Sequence, residues 1–382
     1  MPTILLTSSI ADSIYLFRRD LLECLTAKKY RVIIVCAYSD WYIKEFEKIG
    51  CEFINLNIKR QGKTPISDIN VLMQYLLIIR KINPDIVLTY TVKPNIYASL
   101  ACRFYKIPYI NNITGLGIIG NKGILQIILF YMQRVAFRNS SCIFFQNEIN
   151  LFLYQKKNIV HNKYCLIPGS GVSLDKFYAA EYPIKSETIK FLSILRLRKD
   201  KGIEELVEAI QTVGCNNIEF YIIGPSEDDT YIKKIKELQL EYPVFYYGSL
   251  SQDEVRNEII KCHCLIHPSH SEGMANVILE SAASARPVIA SNIPGCHEAV
   301  EDGISGFLFP KCDIEALIFQ IKRFIALPWD KKRDMGLAGR QKMEQEFDRQ
   351  IVTDAYMEEI NKCLSKNDYI HSALKGSVNE SI

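Results

Sequence analysis

Two glutamates, Glu272 and Glu280, stand eight positions apart in the run HPSHSEGMANVILE. Glu272 falls in a glycine-bearing loop after the strand-like Cys264–His267, and Glu280 falls inside the helix-like stretch that follows. With a helix starting near Ala275, Glu280 lies about a turn and a half in, close to the loop. Ligands of open α/β sheets bind beyond the carboxyl ends of strands, where a helix N-terminus presents backbone N–H groups. Gly273, Met274, Ala275 and Asn276 therefore make a candidate cradle for a diphosphate. Carboxylates beside a diphosphate would be repelled unless they had hydroxyl donors to accept from, one set on a transferred sugar and one on a ribose. A nucleotide-sugar carries both. From spacing alone, a capping Glu272 and a solvated Glu280 are an equally good account.

The matching cations stand in ILRLRKDKG, after the first strand of the second half: Arg196 and Lys201 are the candidates, and Arg198 and Lys199 read as solvated charges. Arg and Lys stabilise the charge on a departing phosphate without a metal, and the Arg fork suits a diphosphate. A metal-dependent site would want paired aspartates in a D-x-D arrangement, and no two aspartates are spaced that way. Cys262, His263, Cys264, His267 and His270 look like zinc ligands, but a buried strand over 264–267 would send alternate side chains to opposite faces. The expectation is no metal and no cofactor.

Placing these groups is the work of an α/β fold. Apolar β-branched runs alternate with amphipathic stretches, the pattern of a parallel sheet covered on both faces. Strands are expected at 4–7, 32–37, 86–89, 109–113 and 142–146, then at 190–195, 219–223, 244–247, 264–267, 288–291 and 306–309. The segment AAEYPIKSE reads as a linker and puts a domain boundary near Glu181, giving domains over 1–180 and 181–347. A closing helix is expected over 348–365, followed by an unpatterned, flexible tail over 366–382.

Residues 1–180 hold 22 Lys and Arg against 11 Asp and Glu, a net of +11, while residues 181–382 hold 24 against 32, a net of −8. The basic half wants an anionic neighbour. Its charges are dispersed pairs with no nucleic-acid-binding motif around them, so nucleic acid is set aside in favour of an anionic membrane surface. The apolar stretch Gly123–Phe137 is too short to span a bilayer; lying on one and being buried in the core are both open to it. The 12 scattered cysteines point to reduced thiols and a cytoplasmic protein.

The E-x7-E of Glu272 and Glu280, the R-x4-K-G of Arg196, Lys201 and Gly202, the GVSLDKF of 171–177 and the DGISGFLF of 302–309 together resemble the retaining glycosyltransferases of family 4. SIYLFRRDLLECL and KPNIYASLACRFYKIPYINNITGLG look most like bacterial members that extend undecaprenyl-diphosphate-linked sugars for O antigen, capsule or glycoprotein glycans. The resemblance implies the GT-B fold, two Rossmann-like domains with the donor bound mainly by the second and the acceptor by the first, and a last helix returning to the first domain. It implies a UDP-sugar donor, a lipid-diphosphate-linked saccharide acceptor and a peripheral location on the inner face of the plasma membrane. Glu272 would contact the donor sugar, Glu280 the ribose, and Arg196 and Lys201 the diphosphate. Transfer would retain anomeric configuration by front-face attack.

Two departures stand out. Many relatives carry a histidine in the segment matching LTYTVKPN, where residues 88–95 have none and Thr91 or Lys93 is the available substitute. The loop SSIADS lacks the usual glycines, leaving Ser9 and its neighbours as candidate contacts to donor phosphate or acceptor. Thr114–Gly117 (TGLG) is an acceptor-side candidate or a plain turn. The rival readings are a nucleotide-sugar 2-epimerase of the same fold, a dehydrogenase, which SSIADS disfavours because it is not G-x-G-x-x-G, and a non-catalytic sugar-binding protein.

Overall fold

The computed structural model describes residues 1–58, 65–114, 123–161, 163–185, 188–214, 217–226 and 228–379. The chain divides into two compact units: Met1–Ser170 with Gln350–Ile382, and Gly171–Arg349.

The first unit holds a seven-stranded sheet of β1 (Thr3–Thr7), β2 (Arg31–Cys36), β3 (Glu52–Asn55), β4 (Ile86–Tyr90), β5 (Tyr109–Ile113), β6 (Cys142–Phe145) and β7 (Tyr164–Leu166). The order is β3-β2-β1-β4-β5-β6-β7 and every pairing is parallel. The central strands are apolar on both faces: Ile4, Leu5, Leu6 and Val32 through Cys36 are all buried. That is the signature of a parallel sheet with helices on each side. β3 and β7 escape a reading by periodicity. Both are short edge strands, and their EFIN and YCL are half exposed, so no apolar run marks them.

The second unit repeats the plan with six parallel strands: β8 (Ile189–Ile194), β9 (Ile218–Ile223), β10 (Val244–Tyr246), β11 (Cys264–His267), β12 (Val288–Ser291) and β13 (Gly306–Phe309), in the order β10-β9-β8-β11-β12-β13. In both sheets the chain reverses its direction of winding once, between β1 and β4 and between β8 and β11. The loops after those strands splay to opposite faces there and leave a crevice. The two doubly wound sheets expected from the sequence are both present.

Two boundaries differ from the sequence reading. The first unit ends at Ser170, not at residue 180, because GVSLDKF folds onto the second unit. Val172 N–H donates to Phe347 O at 2.8 Å, Arg349 N–H donates to Val172 O at 3.0 Å, and Phe177 is fully buried in the second unit's core. The presumed linker is pinned as well, by Tyr182 Oη donating to His263 O at 2.9 Å and by Trp329 Nε1 donating to Pro183 O at 3.0 Å. At the other end the closing helix runs from Arg349 to Asn379, so the backbone stays helical through most of the stretch expected to be an unpatterned tail. Val352, Tyr356, Met357 and Ile360 bury that helix in the first unit's core, with Tyr356 stacked on Phe144 at 4.4 Å between ring centroids. Its early turns are fixed by this packing, which periodicity did reveal.

Candidate functional site

The crevice of the second unit is where the chemistry-bearing residues meet. β8 and β11 are neighbours, so the loop carrying Arg196 and Lys201 and the loop carrying Glu272 leave the same end of the sheet side by side. Two glycines seat them. Gly202, at φ +76°, ends the short 3-10 turn Lys199–Lys201, and a Cβ there would stand 2.0 Å from Pro268 O. Gly295, at φ +85°, backs the other side, where a Cβ would reach within 2.8 Å of Gly273 O and 3.1 Å of Glu272 Cβ. Only glycine gives both the positive φ and the close backbone approach.

Held this way, Lys201 Nζ lies 2.6 Å from Glu272 Oε1 and also donates to Ser271 O at 3.1 Å and Ser269 Oγ at 3.4 Å. His267, the last residue of β11, brings its Nε2 to the same Glu272 oxygen at 3.2 Å. Burial pushes the Glu272 carboxyl up, but the His267 hydrogen bond and charge, followed by Lys201, outweigh it and hold the pKa down at about 2. Glu272 is thus an anion locked between two cation-forming groups. The sequence reading gave Lys201 and Glu272 separate partners; the structure joins them in one ion pair. It missed His267, set aside there as a zinc look-alike; position at the very end of the strand before the loop was the available signal.

Glu280 is the fifth residue of the helix Asn276–Ala283 and is buried. Burial lifts its pKa to about 7, against the lowering effect of Arg349, Gln252 and Lys176. The two glutamates of the motif are therefore electrostatic opposites, one firmly ionised and one poised near neutrality. Lys176 belongs to GVSLDKF and reaches Gln252 Oε1 at 2.5 Å, so that motif lies against Glu280, although no role was read from it.

The helix N-terminus has no side-chain cap and no acidic residue in its first turn, which leaves its dipole uncompensated. Asn276 Oδ1 is buried without a hydrogen-bond partner among the described residues. Ala275 departs from the expected cradle: its N–H is already given to Gly295 O at 2.8 Å, and with Met274 it is buried in the core. Those two residues shape the turn, while Gly273 and Asn276 stay at the mouth. Arg196 is half-buried just past β8.

In the first unit the corresponding crevice joins Ser9 to Thr91: Ser9 N–H donates to Thr91 Oγ1 at 3.1 Å and the two hydroxyls are 2.9 Å apart. Thr91 holds φ at +64°, a left-handed backbone uncommon outside glycine, at the start of the helix Val92–Tyr105. Lys93 is engaged with Asp68 at 2.9 Å. Of the two substitutes for the family histidine, Thr91 stands at the strand end and Lys93 is in an ion pair. The TGLG segment lies, beyond Thr114, outside the described residues.

The zinc look-alike run is taken apart by these contacts. Cys262 Sγ donates to Ile259 O at 3.2 Å, Cys264 is fully buried, and His263 Nδ1 accepts from Lys190 N–H at 3.0 Å. No candidate helix for crossing a membrane occurs among the described residues.

Two parallel doubly wound sheets with paired switch-point crevices define a GT-B glycosyltransferase fold, and solved structures agree. A glycosyltransferase from Rickettsia africae superposes with a TM-score of 0.78 at 21% identity, covering 95% of this chain and 98% of that one. Anabaena Alr3699/HepE in complex with UDP superposes with a TM-score of 0.78 at 15% identity, covering 95% and 100%. Residues 4–147 match the family described as Glycosyl transferase 4-like, and residues 175–342 match Glycosyl transferases group 1. The chain belongs to the glycosyltransferases of family 4. It is 23% identical to the N,N'-diacetylbacillosaminyl-diphospho-undecaprenol alpha-1,3-N-acetylgalactosaminyltransferase of Campylobacter jejuni, over 92% of this chain and 96% of that one. It is also 23% identical to the capsular polysaccharide biosynthesis glycosyltransferase CapM of Staphylococcus aureus, over 94% and 97%.

Proposed function

We propose that this protein moves a hexose or N-acetylhexosamine from a UDP-sugar to a lipid-diphosphate-linked saccharide in the assembly of a bacterial surface polysaccharide. The observation that carries the reading is the joining of Lys201, His267 and Glu272 beside an uncapped helix N-terminus. A cation and N–H groups suit a diphosphate, and a carboxylate kept ionised suits sugar hydroxyls. Lys201 and Arg196 stabilise the charge on the departing phosphate, Glu272 orients the donor sugar, and Glu280 accepts from the ribose. The phosphate oxygen takes the acceptor's proton on the face it leaves, so the anomeric configuration is retained and neither a protein nucleophile nor a metal enters the step. UDP is supported by the Anabaena complex, and the lipid-diphosphate acceptor by the relative from Campylobacter jejuni.

A membrane-borne acceptor calls for a membrane-facing surface. The helix Ile124–Phe137 leaves Ile127, Ile128 and Tyr131 exposed next to the exposed Arg134, and Phe104 on the helix Val92–Tyr105 packed beside it is 73% exposed. An apolar strip with basic residues suits the headgroup layer of an anionic bilayer. This supports a peripheral location on the inner face of the plasma membrane; the other side of the helix, with Phe130, Ala136 and Phe137, is buried in the core, so each of the two alternatives for Gly123–Phe137 fits one face.

The test incubates the purified protein, with a chelator present, with UDP- and GDP-sugars and lipid-diphosphate-linked acceptors, following nucleotide diphosphate release and the anomeric signal of the product. Release of UDP with a retained anomer is expected. Release from no pair, or appearance of an epimerised nucleotide-sugar, would reject transfer.

A further inference from the structure

Among the described residues, one group of three potential metal ligands is assembled from three separate elements. Glu205 lies in the first turn of the helix Ile203–Val213, His270 in the loop after β11, and Cys312 just before the helix Ile314–Ala326. One ligand atom from each lies within 4.8 Å of the others, and His270 Nε2 is 2.8 Å from Glu205 Oε1. Glu205 is only 8% exposed, and its second oxygen, Oε2, is buried with no hydrogen-bond partner among the described residues. A buried carboxylate oxygen left without a partner is unfavourable unless something else comes to it. A cation would do so.

The donor set says which cation. A thiol, an imidazole and a carboxylate are the ligands of the borderline-soft zinc class, not of magnesium or calcium, which take oxygen donors. Bonds of about 2.0–2.3 Å in a tetrahedron place neighbouring donor atoms roughly 3.3–3.8 Å apart, so the group closes on an ion by small side-chain rotations, His270 and Glu205 parting slightly and Cys312 drawing in. Three protein donors leave a fourth position for water. Cys312 is the one exposed cysteine among the described residues, which gives an ion its way in. Its backbone holds φ at +59°, in the left-handed region.

We propose that Glu205, His270 and Cys312 form a zinc-class metal site that braces the loop bearing Glu272. The binding step is balanced: Cys312 gives up its thiol proton to solvent, the imidazole proton that Nε2 shares with Glu205 Oε1 moves to Nδ1 so that Nε2 offers its lone pair, the carboxylate keeps its charge, and two anionic ligands offset the charge of the divalent ion. The connection to the loop is short. His270 N–H donates to Asp200 O at 3.1 Å, and Lys201 holds Ser269, Ser271 and Glu272 on either side of His270. An ion on the His270 ring would tie that loop to the helix Ile203–Val213 and to the segment carrying Cys312. This site is separate from the diphosphate chemistry and assigns the ion no part in transfer.

The test uses tag-free, full-length protein freed of metal by a chelator. Zn²⁺ is titrated against a chromophoric competitor, and Co²⁺ is added as a spectroscopic probe. One Zn²⁺ per chain is expected, with a thiolate charge-transfer band in the Co²⁺ form, and Cys312→Ser and Glu205→Gln should each weaken binding at least tenfold. Cys312→Ser changes an exposed side chain and should leave the unfolding temperature without metal unchanged, so its loss of binding reads the site and not the fold. Equal affinity in the parent and Cys312→Ser, or a Co²⁺ spectrum without thiolate character, would overturn the site. Zn²⁺ should also slow amide hydrogen exchange in residues 269–272; unchanged exchange with zinc bound would overturn the bracing.

Discussion

Lys201 and Glu272, one on the loop after β8 and the other on the loop after β11, meet at 2.6 Å with their side chains only 12% and 17% exposed. The pair fastens two loops that the sheet merely places side by side. On the proposed assignment it also sets a condition on ligand binding: a diphosphate approaching Lys201 would compete with Glu272 for the ammonium, and the carboxylate so released would turn to sugar hydroxyls. Donor binding and rearrangement of this pair would then be coupled.

Removing the ammonium tests that coupling. Lys201→Ala should lower kcat by about 10²–10³ with a smaller change in donor KM, because charge on the leaving phosphate develops in the transition state. It should also lower stability by about 1–3 kcal/mol, since among the described residues the Glu272 carboxylate would keep only His267 as a side-chain partner. Steady-state kinetics and denaturant unfolding measure the two separately. An unchanged kcat would place the diphosphate elsewhere.

Glu280 makes a prediction about pH. Its carboxyl ionises near 4.5 in the unfolded chain and at about 7 in the folded one, so between those values the folded state holds the extra proton. Stability therefore falls as pH rises from about 4.5 to 7 on account of this group, by at most about 3 kcal/mol, and levels off above. Glu280→Gln removes the titration, and its unfolding free energy should gain on the parent between pH 5 and pH 8. Glu272 runs the other way: its pKa of about 2 gives stability that is complete above about pH 4.5 and lost as pH falls toward 2. If the Glu280 carboxylate accepts from the ribose, donor affinity in the parent should rise between pH 6 and pH 8 and be nearly flat in Glu280→Gln, as calorimetric titration with UDP would show.

The loop geometry gives a third test. Gly295→Ala brings a methyl to 2.8 Å from Gly273 O at a positive φ, so either the backbone at 295 or the Glu272 loop must move. The expected result is a stability loss of about 1–3 kcal/mol and at least a tenfold loss of kcat/KM. Loss of stability with full activity would show that the Glu272 loop tolerates displacement.

Much of this architecture was legible in the sequence. The apolar runs of β1, β2, β8, β11 and β12 mark buried parallel strands, and the motif residues Lys201 and Glu272 fall in the switch-point loops, with Glu280 in the helix that follows. What was hidden has a common cause. The Lys201–Glu272 contact depends on which strands are neighbours, and strand order is not written in local periodicity. The same holds for Gly295 under the Glu272 loop and for Glu205, His270 and Cys312, which lie on three elements spread over more than a hundred positions. The opposite ionisation of Glu272 and Glu280 depends on burial and on His267, Arg349 and Lys176 arriving from elsewhere in the chain.

The unit boundary was hidden for the same reason, and it yields the last prediction. GVSLDKF precedes the apparent linker, yet Phe177 is fully buried among the second unit's side chains, and Arg340 spans the seam by donating to Phe177 O and Ala283 O at 2.9 Å each. A phenylalanine in such a place contributes through its area and through the cavity its removal leaves, about 3–5 kcal/mol for truncation to alanine. Phe177→Ala should therefore destabilise the unit that carries the glycine loop and Glu280. Hydrogen exchange followed by mass spectrometry should show faster exchange in β8, β11 and the helix Asn276–Ala283, with β1 and β4 changed far less. Faster exchange confined to the first unit would return residues 171–177 to it and restore the boundary near 180.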